Sequence, residues 1–340
     1  MQFVQWVNGK IMLEKSKWQL YKEEIQNPKE IIKDSRKTIF VSIAAYNEED
    51  LEQTIDNALK NALYTERIYF GVYCHKSDLN HKEMNYPNLK IIYTTYPNVL
   101  GVGLARANSF SLYDNQDYFF QIDGHMLFEK NWDKKVISAI KKIQLVHDKP
   151  IISTYVPWWA RLEDGEILHY SPDIECCSYP MKYIGLLDYH PPMTTEFKDY
   201  GENEEIEHYG ISGHFIFTLG SFVKDVLPDP EIMFAGEEET IALRAWTRGY
   251  RIYSIKNPIA WHKNKGAGVV SSKDRSVNFG PQEDHDFWVR KNKLSLDKVK
   301  DIMTGNLIGI WGAASFESFK EYEKAAGVDF NKMYENQDLI

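Results

Sequence analysis

The sequence predicts an α/β fold, a mostly parallel sheet with helices flanking it. Three observations lead there. Apolar β-type runs alternate with segments of helical period between residues 38 and 156. The first of these runs passes into a helix-start signal of Asn47 followed by Glu48, Glu49 and Asp50. Hydrophobic residues make up 43% and charged residues 26% of 340, a globular balance that excludes disordered, collagenous and coiled-coil chains.

Taken in order, residues 1–37 mix Trp6, Trp18 and Tyr21 with charges and read as an appended segment with some helix. Ile39 to Ala45 is the first core strand, and Leu51, Ile55, Ala58, Leu59 and Ala62 recur at helical spacing after the Asn47 cap. Strands follow at 68–74 and 89–93, then a glycine-punctuated helix at 101–113 and a strand at 118–122. A helix at 131–147 and an apolar run at 151–156 continue the alternation, before a loop-rich aromatic stretch with Trp158, Trp159, Tyr170, Tyr179 and Tyr183. A last ordered block holds the run 211–219, a helix at 237–248 stopped by Gly249, and a strand at 251–255 that leads to Trp261-His262. No repeat or low-complexity linker interrupts this, so the reading is one domain over 38–270 with an accessory region at 271–340 packed on it.

Charge and cysteine content narrow the function. A net charge of -9 gives no bulk attraction to nucleic acid. Cys74, Cys176 and Cys177 form neither a disulfide framework nor a spaced zinc site, which fits a reducing compartment. The longest apolar run, 39–46, is too short to span a bilayer, and residues 1–15 lack the apolar core of a secretory signal. The expectation is a cytoplasmic protein with no membrane partner. Aromatic residues reach 14%, and such rings often line ligand clefts.

Ligands in open α/β sheets sit at the carboxyl ends of strands, where this chain places Asp123-Gly124-His125. Residues two apart on an extended backbone share a side, so Asp123 and His125 can converge on one divalent cation, with His262 as the best third ligand. The same residues also read as a turn-capping Asp and ordinary half-exposed histidines. Glu237, Glu238 and Glu239 suit the positive end of a helix, and equally suit gripping ligand hydroxyls beside Gly236. Gly101-Val102-Gly103-Leu104-Ala105-Arg106 lacks the third glycine of a dinucleotide fingerprint and the Lys-Ser/Thr of a P-loop. Arg106 is then either a diphosphate partner or a solvated helix-face residue.

In combination, Tyr46-Asn47-Glu48, Asp78, Gly103-Leu104-Ala105-Arg106, Gln121-Ile122-Asp123-Gly124-His125-Met126, Asp133 and Phe234-Ala235-Gly236-Glu237-Glu238 resemble the GT-A glycosyltransferases. Within them the chain is similar to the GlcNAc-transferase family that modifies hydroxyproline or Ser/Thr on proteins. The strongest blocks are 118–132 and 229–262, including Arg244-Ala245-Trp246-Thr247-Arg248-Gly249-Tyr250, and the resemblance covers about residues 38 to 330. Two departures stand out: Tyr46-Asn47-Glu48-Glu49 replaces the family's usual Ser-Tyr-Arg-Asp, and Gly124 stands where Ser is common.

The resemblance implies a Rossmann-like nucleotide-sugar transferase fold and a metal set of Asp123, His125 and His262, the first two as a DxH variant of the DxD motif. It implies manganese, or another divalent ion such as magnesium, beside a UDP-sugar whose uridine lies at Ala45, Tyr46 and Asp78. Arg106 and Asp123 would lie at the nucleotide, and Glu237 and Glu238 would contact the donor sugar as catalytic residues. UDP-GlcNAc is the expected donor, with retention of anomeric configuration. The expected acceptor is a hydroxyl on a protein or peptide, with Trp158 and Trp159 on the acceptor side. Rival readings are transfer to a hydroxymethylated DNA base or a glycan, a catalytically idle sugar-binding module, and a metal-dependent hydrolase.

Overall fold

A computed structural model of the chain describes residues 4–7, 10–13, 37–75, 84–95, 101–162, 165–169, 181–183, 191, 193–195, 200, 203–263 and 285–335. Asp78, Tyr170, Cys176, Cys177 and Tyr179 lie outside them. The described elements are β1 (Val4–Val7), β2 (Lys10–Leu13), β3 (Ile39–Tyr46), α1 (Leu51–Asn61), β4 (Ile68–His75), β5 (Leu89–Thr94), α2 (Gly101–Phe110), β6 (Tyr118–Ile122) and β7 (Met126–Phe128). Next come α3 (Trp132–Gln144), β8 (Pro150–Ser153), β9 (Trp158–Arg161), β10 (Ile167–His169), β11 (Met181–Tyr183), β12 (Met193–Thr195), β13 (Glu205–His208) and β14 (Phe215–Leu219). The chain continues with α4 (Phe222–Asp225), α5 (Glu237–Thr247), β15 (Arg251–Ile255), β16 (Ala260–Lys263), α6 (His285–Met303), α7 (Phe316–Ala326) and α8 (Phe330–Glu335).

Eight strands form the main sheet in the order β13-β15-β8-β14-β6-β3-β4-β5. β5, β4, β3 and β6 run parallel, β14 inserts antiparallel between β6 and β8, and β13 closes one edge antiparallel to β15. Strand alternation sorts the faces. Ile39, Val41, Ile43 and Ala45 of β3 meet Leu51, Ile55 and Ala58 of α1 and Val136 and Ile140 of α3 in one core. Phe40 and Phe119 point the other way, into a core with Phe110 of α2, Phe222 of α4 and Ile241 and Ala245 of α5. Burying both faces of the sheet removes a large apolar area from water, the main favourable contribution to folding.

A four-stranded sheet, β10-β9-β16-β7, lies beyond the carboxyl end of β6 and carries the segment ending at Lys263. The region C-terminal to it adds α6, α7 and α8, whose Val299, Ile302, Phe319, Tyr322 and Phe330 share a third core with Leu243 and Trp246 of α5. Among the described residues no helix is long and apolar enough to cross a membrane.

Two expectations need correction, and one feature the sequence predicts acquires a structural reason. Asn47 does not cap α1: it takes a left-handed φ of 45° and donates its N–H to the His75 carbonyl at 3.0 Å. The helix begins at Leu51 with Asp50 in the cap position, and Asp50 makes no side-chain cap bond because its carboxylate pairs with Lys263 and Arg161. The glycine-punctuated start of α2 is a packing device. Val102 and Gly103 donate their N–H groups to the Met233 and Ile232 carbonyls at 2.8 and 3.0 Å, and a Cβ on Gly103 would sit 2.0 Å from the Asp229 carbonyl oxygen. The run predicted at 211–219 orders as strand only from Phe215, after a turn closed by the Phe215 N–H on the Ser212 carbonyl.

Candidate active site

Strand β6 ends at Ile122, and the chain turns through Asp123-Gly124-His125 into β7. This turn is held from several sides. Thr54 of α1 donates its hydroxyl to the Gly124 carbonyl and accepts the Met126 N–H. The His125 carbonyl accepts from the Trp159 indole at 3.0 Å and from the Lys263 N–H at 3.1 Å. Register in the smaller sheet sets His262 opposite Met126, one residue from His125.

Three side chains converge there. His125 Nε2 lies 2.9 Å from His262 Nε2, and His262 Nε2 lies 3.3 Å from Asp123 Oδ2. His125 Nδ1 meets the Glu48 carboxylate at 2.6 Å. With Nδ1–H donating to Glu48, the Nε2 lone pair is turned toward His262 and Asp123. One ligand atom from each of Asp123, His125 and His262 falls within 4.8 Å of the others. Two facing imidazole nitrogens and a carboxylate oxygen form a donor set that fits a first-row divalent cation with open positions. Burial would raise the Asp123 carboxyl, yet the hydrogen bond from His262 and the charges of Arg106, His125 and His262 hold it well below the usual carboxylate range.

Arg106 is neither solvated nor turned outward. At 3% exposure its guanidinium bonds Asp123 Oδ1 at 3.2 Å, Glu237 Oε1 at 3.3 Å, and the carbonyls of Ile122 and Gly213 at 3.2 Å each. It therefore ties the end of β6 to the start of α5 and fixes two carboxylates at once. Glu238 accepts the Gly213 N–H at 2.5 Å, and burial, opposed by that bond and reinforced by Glu237 and Asp123, pushes its carboxyl up to about 7. Glu237 is raised too, chiefly by burial.

The structure thus brings together Asp123, His125, His262, Arg106, Glu237 and Glu238. Ala45 and Tyr46 end the neighbouring strand β3, with Ala45 buried in the core and Tyr46 half-buried. Trp158 is half-buried at the start of β9, whereas Trp159 is 0% exposed beneath the His125 turn. Trp159 thus supports the turn and offers no ring face to an acceptor, because alternation along β9 turns it inward. Asp133 is likewise structural: it accepts the Leu63 and Tyr64 N–H groups at 2.7 and 3.0 Å.

Two residues emerge only from the fold. Glu48 reads in sequence as helix-dipole charge, but the turn at Asn47 swings it over Gly124, where a Cβ would come within 2.9 Å of Glu48 Cγ. His214 is placed by strand register: Phe215 pairs with Ile122, which sets His214 beside Asp123. Its ring lies 4.6 Å from that of His262 and its Nδ1 bonds Ser212 Oγ at 2.8 Å. Burial and the neighbouring His262 keep His214 well below the ordinary histidine value, hence neutral. Tyr155 meets His214 edge-on at 4.9 Å on the exposed side.

Comparison with known proteins agrees with this architecture. A profile of the family described as Glycosyltransferase (GlcNAc) matches residues 73–304, more than half of the chain. Among solved structures, GalNAc-T7 crystallised with UDP, GalNAc and Mn2+ superposes with a TM-score of 0.53 at 15% identity, covering 87% of this chain and 56% of that one. The chain therefore spans little more than half of GalNAc-T7. Staphylococcus aureus TarS 1-349 in complex with UDP-GlcNAc gives a TM-score of 0.41 at 12% identity, covering 76% of this chain and 71% of that one. No curated protein matches by sequence. The fold is that of the GT-A glycosyltransferases, and the chain belongs to the GlcNAc glycosyltransferase family.

Proposed function

We propose that the protein transfers GlcNAc from UDP-GlcNAc to a hydroxyl of a protein or peptide in the cytoplasm, retaining anomeric configuration and requiring a divalent cation, manganese before magnesium. The observation that carries this is the convergence of Asp123, His125 and His262 at the carboxyl end of β6 in a member of a GlcNAc glycosyltransferase family. A divalent ion held by Asp123, His125 and His262 would supply positive charge for a diphosphate leaving group.

The chain's own residues divide the remaining work. Arg106 acts as a positioning residue, since four of its five N–H donors serve Asp123, Glu237 and two backbone carbonyls. Glu237 and Glu238 open α5, Glu237 tied to Asp123 through Arg106 and Glu238 to the Gly213 N–H. A Glu238 carboxyl that titrates near neutrality can donate to or accept from a sugar hydroxyl, which suits a role at the transferring sugar. Trp158 supports the acceptor assignment as a partly exposed residue beside His262 in the smaller sheet.

The test is UDP release from UDP-GlcNAc, UDP-glucose and UDP-galactose with and without manganese, joined to intact-mass analysis of peptides and hydroxymethylated DNA. A manganese-dependent gain of one HexNAc on a hydroxyl-bearing peptide is expected, and product NMR should show the donor's anomeric configuration. Asp123→Asn should lower turnover at least about a hundredfold, the scale of losing a transition-state electrostatic partner. Full activity in EDTA, or mass gain on DNA alone, would overturn the reading.

A further inference from the structure

The two histidines of the candidate metal set are held in different ways. His125 has the Glu48 carboxylate behind it, 2.6 Å from Nδ1. His262 meets Asp123 and His125 through Nε2, at 3.3 and 2.9 Å, and among the described residues no hydrogen bond reaches its Nδ1. Ligating histidines almost always donate their second ring N–H to a carboxylate or a carbonyl, which fixes the plane of the ring. Nε2 is the atom a cation would take, so its contacts cannot be what orients the ring once a cation is bound. The backbone is already fixed, by the His262 N–H on the Pro157 carbonyl at 2.9 Å and by register with Met126 and Trp158. The side-chain torsions need a separate restraint.

His214 is placed to supply it. Its ring packs on that of His262 with centroids 4.6 Å apart and planes inclined by 38°. His214 is in turn anchored on the main sheet. Its Nδ1 bonds Ser212 Oγ at 2.8 Å, and Ser212 is tied to β8, its N–H donating to Ser153 Oγ at 2.8 Å and its carbonyl accepting from the same hydroxyl at 3.4 Å. The Phe215 N–H closes the turn on the Ser212 carbonyl at 3.0 Å. Ser153, Ser212 and His214 are 0%, 1% and 7% exposed, so the support is built into the interior of the main sheet, while His262 belongs to the smaller one.

We infer that His214 is a positioning residue for metal binding: its ring holds the His262 imidazole in the orientation that aims Nε2 at Asp123 and His125, in place of a hydrogen bond at Nδ1. This rests on the reading that Asp123, His125 and His262 bind a divalent cation. A ligand whose torsions are locked by packing before the ion arrives loses less side-chain freedom on binding, so affinity rises without an added ligand. The role belongs to the ring and not to its nitrogens. Ser212 Oγ lies 2.8 Å from His214 Nδ1 and 3.2 Å from Nε2, so the edge that carries both nitrogens is turned to that hydroxyl.

The experiment is manganese titration followed by electron paramagnetic resonance, without nucleotide and again with UDP. The proteins are wild type, His214→Phe, His214→Gln, His214→Ala, His262→Ala and the double variant His214→Ala/His262→Ala, each melted metal-free to confirm folding. His214→Ala and His214→Gln, which remove the ring, should weaken manganese binding about tenfold, the scale of losing an outer partner of a metal ligand. His214→Phe keeps a ring and drops both nitrogens, and should stay within about threefold of wild type, well short of that scale. In the His262→Ala background, His214→Ala should cost nothing further, because a group that acts through His262 has nothing left to orient. The visible spectrum of cobalt(II) bound to His214→Ala should shift toward that of His262→Ala. If His214→Ala does not fold, His214→Gln takes its place in the cycle. A tenfold loss in His214→Phe, or equal losses with and without His262, would overturn the inference and leave the metal reading standing. Absence of manganese binding by wild type, with and without UDP, would overturn the metal reading and this inference with it.

Discussion

The Glu48 carboxylate lies 2.6 Å from His125 Nδ1, and that bond decides which nitrogen of His125 faces the cleft. A carboxylate behind a histidine fixes the ring's tautomer and orientation and raises its basicity toward a cation. Glu48→Gln keeps the size and removes the charge. It is expected to weaken manganese binding about 10- to 100-fold, read by electron paramagnetic resonance titration without nucleotide. An unchanged affinity would show that His125 is held by packing alone.

Arg106 spans Asp123 and Glu237 from a position with 4% of its side chain exposed. Removing one partner of a buried charge network leaves the others uncompensated, at a cost of about 3–5 kcal/mol. Arg106→Met should therefore destabilise the fold by that order in chemical denaturation. Arg106→Lys should recover little of it, because an ammonium cannot serve Asp123, Glu237 and two carbonyls through one planar fork. Near-complete recovery by Lys would mean that charge, not geometry, is what the site requires.

The alternation of strand and helix from 38 to 156 was legible because each element is long enough to show its period, and Asp123 and His125 were legible because they sit two apart at a strand end. What the residues alone left open was whatever depends on non-local pairing. His214 stands beside Asp123 only because β14 inserts antiparallel against β6, and Glu48 reaches His125 only because Asn47 adopts a left-handed turn. Trp158 and Trp159 are indistinguishable in sequence, yet opposite sides of one strand separate their roles.

Glu239 gives the stability a defined pH slope. Burial, then the charges of Glu238 and Glu237, push its carboxyl up to about 8, and Tyr183, Tyr322 and Tyr334 surround it in the third core. The folded state thus holds this proton more tightly than the unfolded chain does. The associated stability is fully present below the ordinary glutamate pKa of about 4.5 and is lost as pH rises through 8. Glu238, raised to about 7, acts in the same direction. Melting temperature should fall between pH 5 and 8.5, and Glu239→Gln should flatten the fall and gain about a few degrees at the alkaline end. A wild-type curve rising over that range would mean that Glu239 is ionised in the folded protein.

Trp158 and Trp159 should respond differently to the same truncation. Trp159 is fully buried, its indole N–H holds the His125 carbonyl, and Lys263 and Arg161 lie near its ring at 5.5 and 6.0 Å. Trp159→Ala removes a large core side chain and a hydrogen bond that fixes the Asp123-Gly124-His125 turn, so a loss of about 3–5 kcal/mol in stability is expected, with weaker manganese binding in the fraction that folds. Trp158 pairs in register with His262 and keeps part of its surface in solvent. Trp158→Ala should leave the melting temperature within a few degrees of wild type (about 1 kcal/mol or less) and slow transfer to a peptide more than hydrolysis of the donor by water. The ratio of those two rates in one assay, measured by HexNAc mass gain and total UDP release, carries the comparison. If Trp158→Ala lowers both rates equally, the ring belongs to the donor half of the cleft, and the acceptor surface must lie elsewhere on the sheet edge.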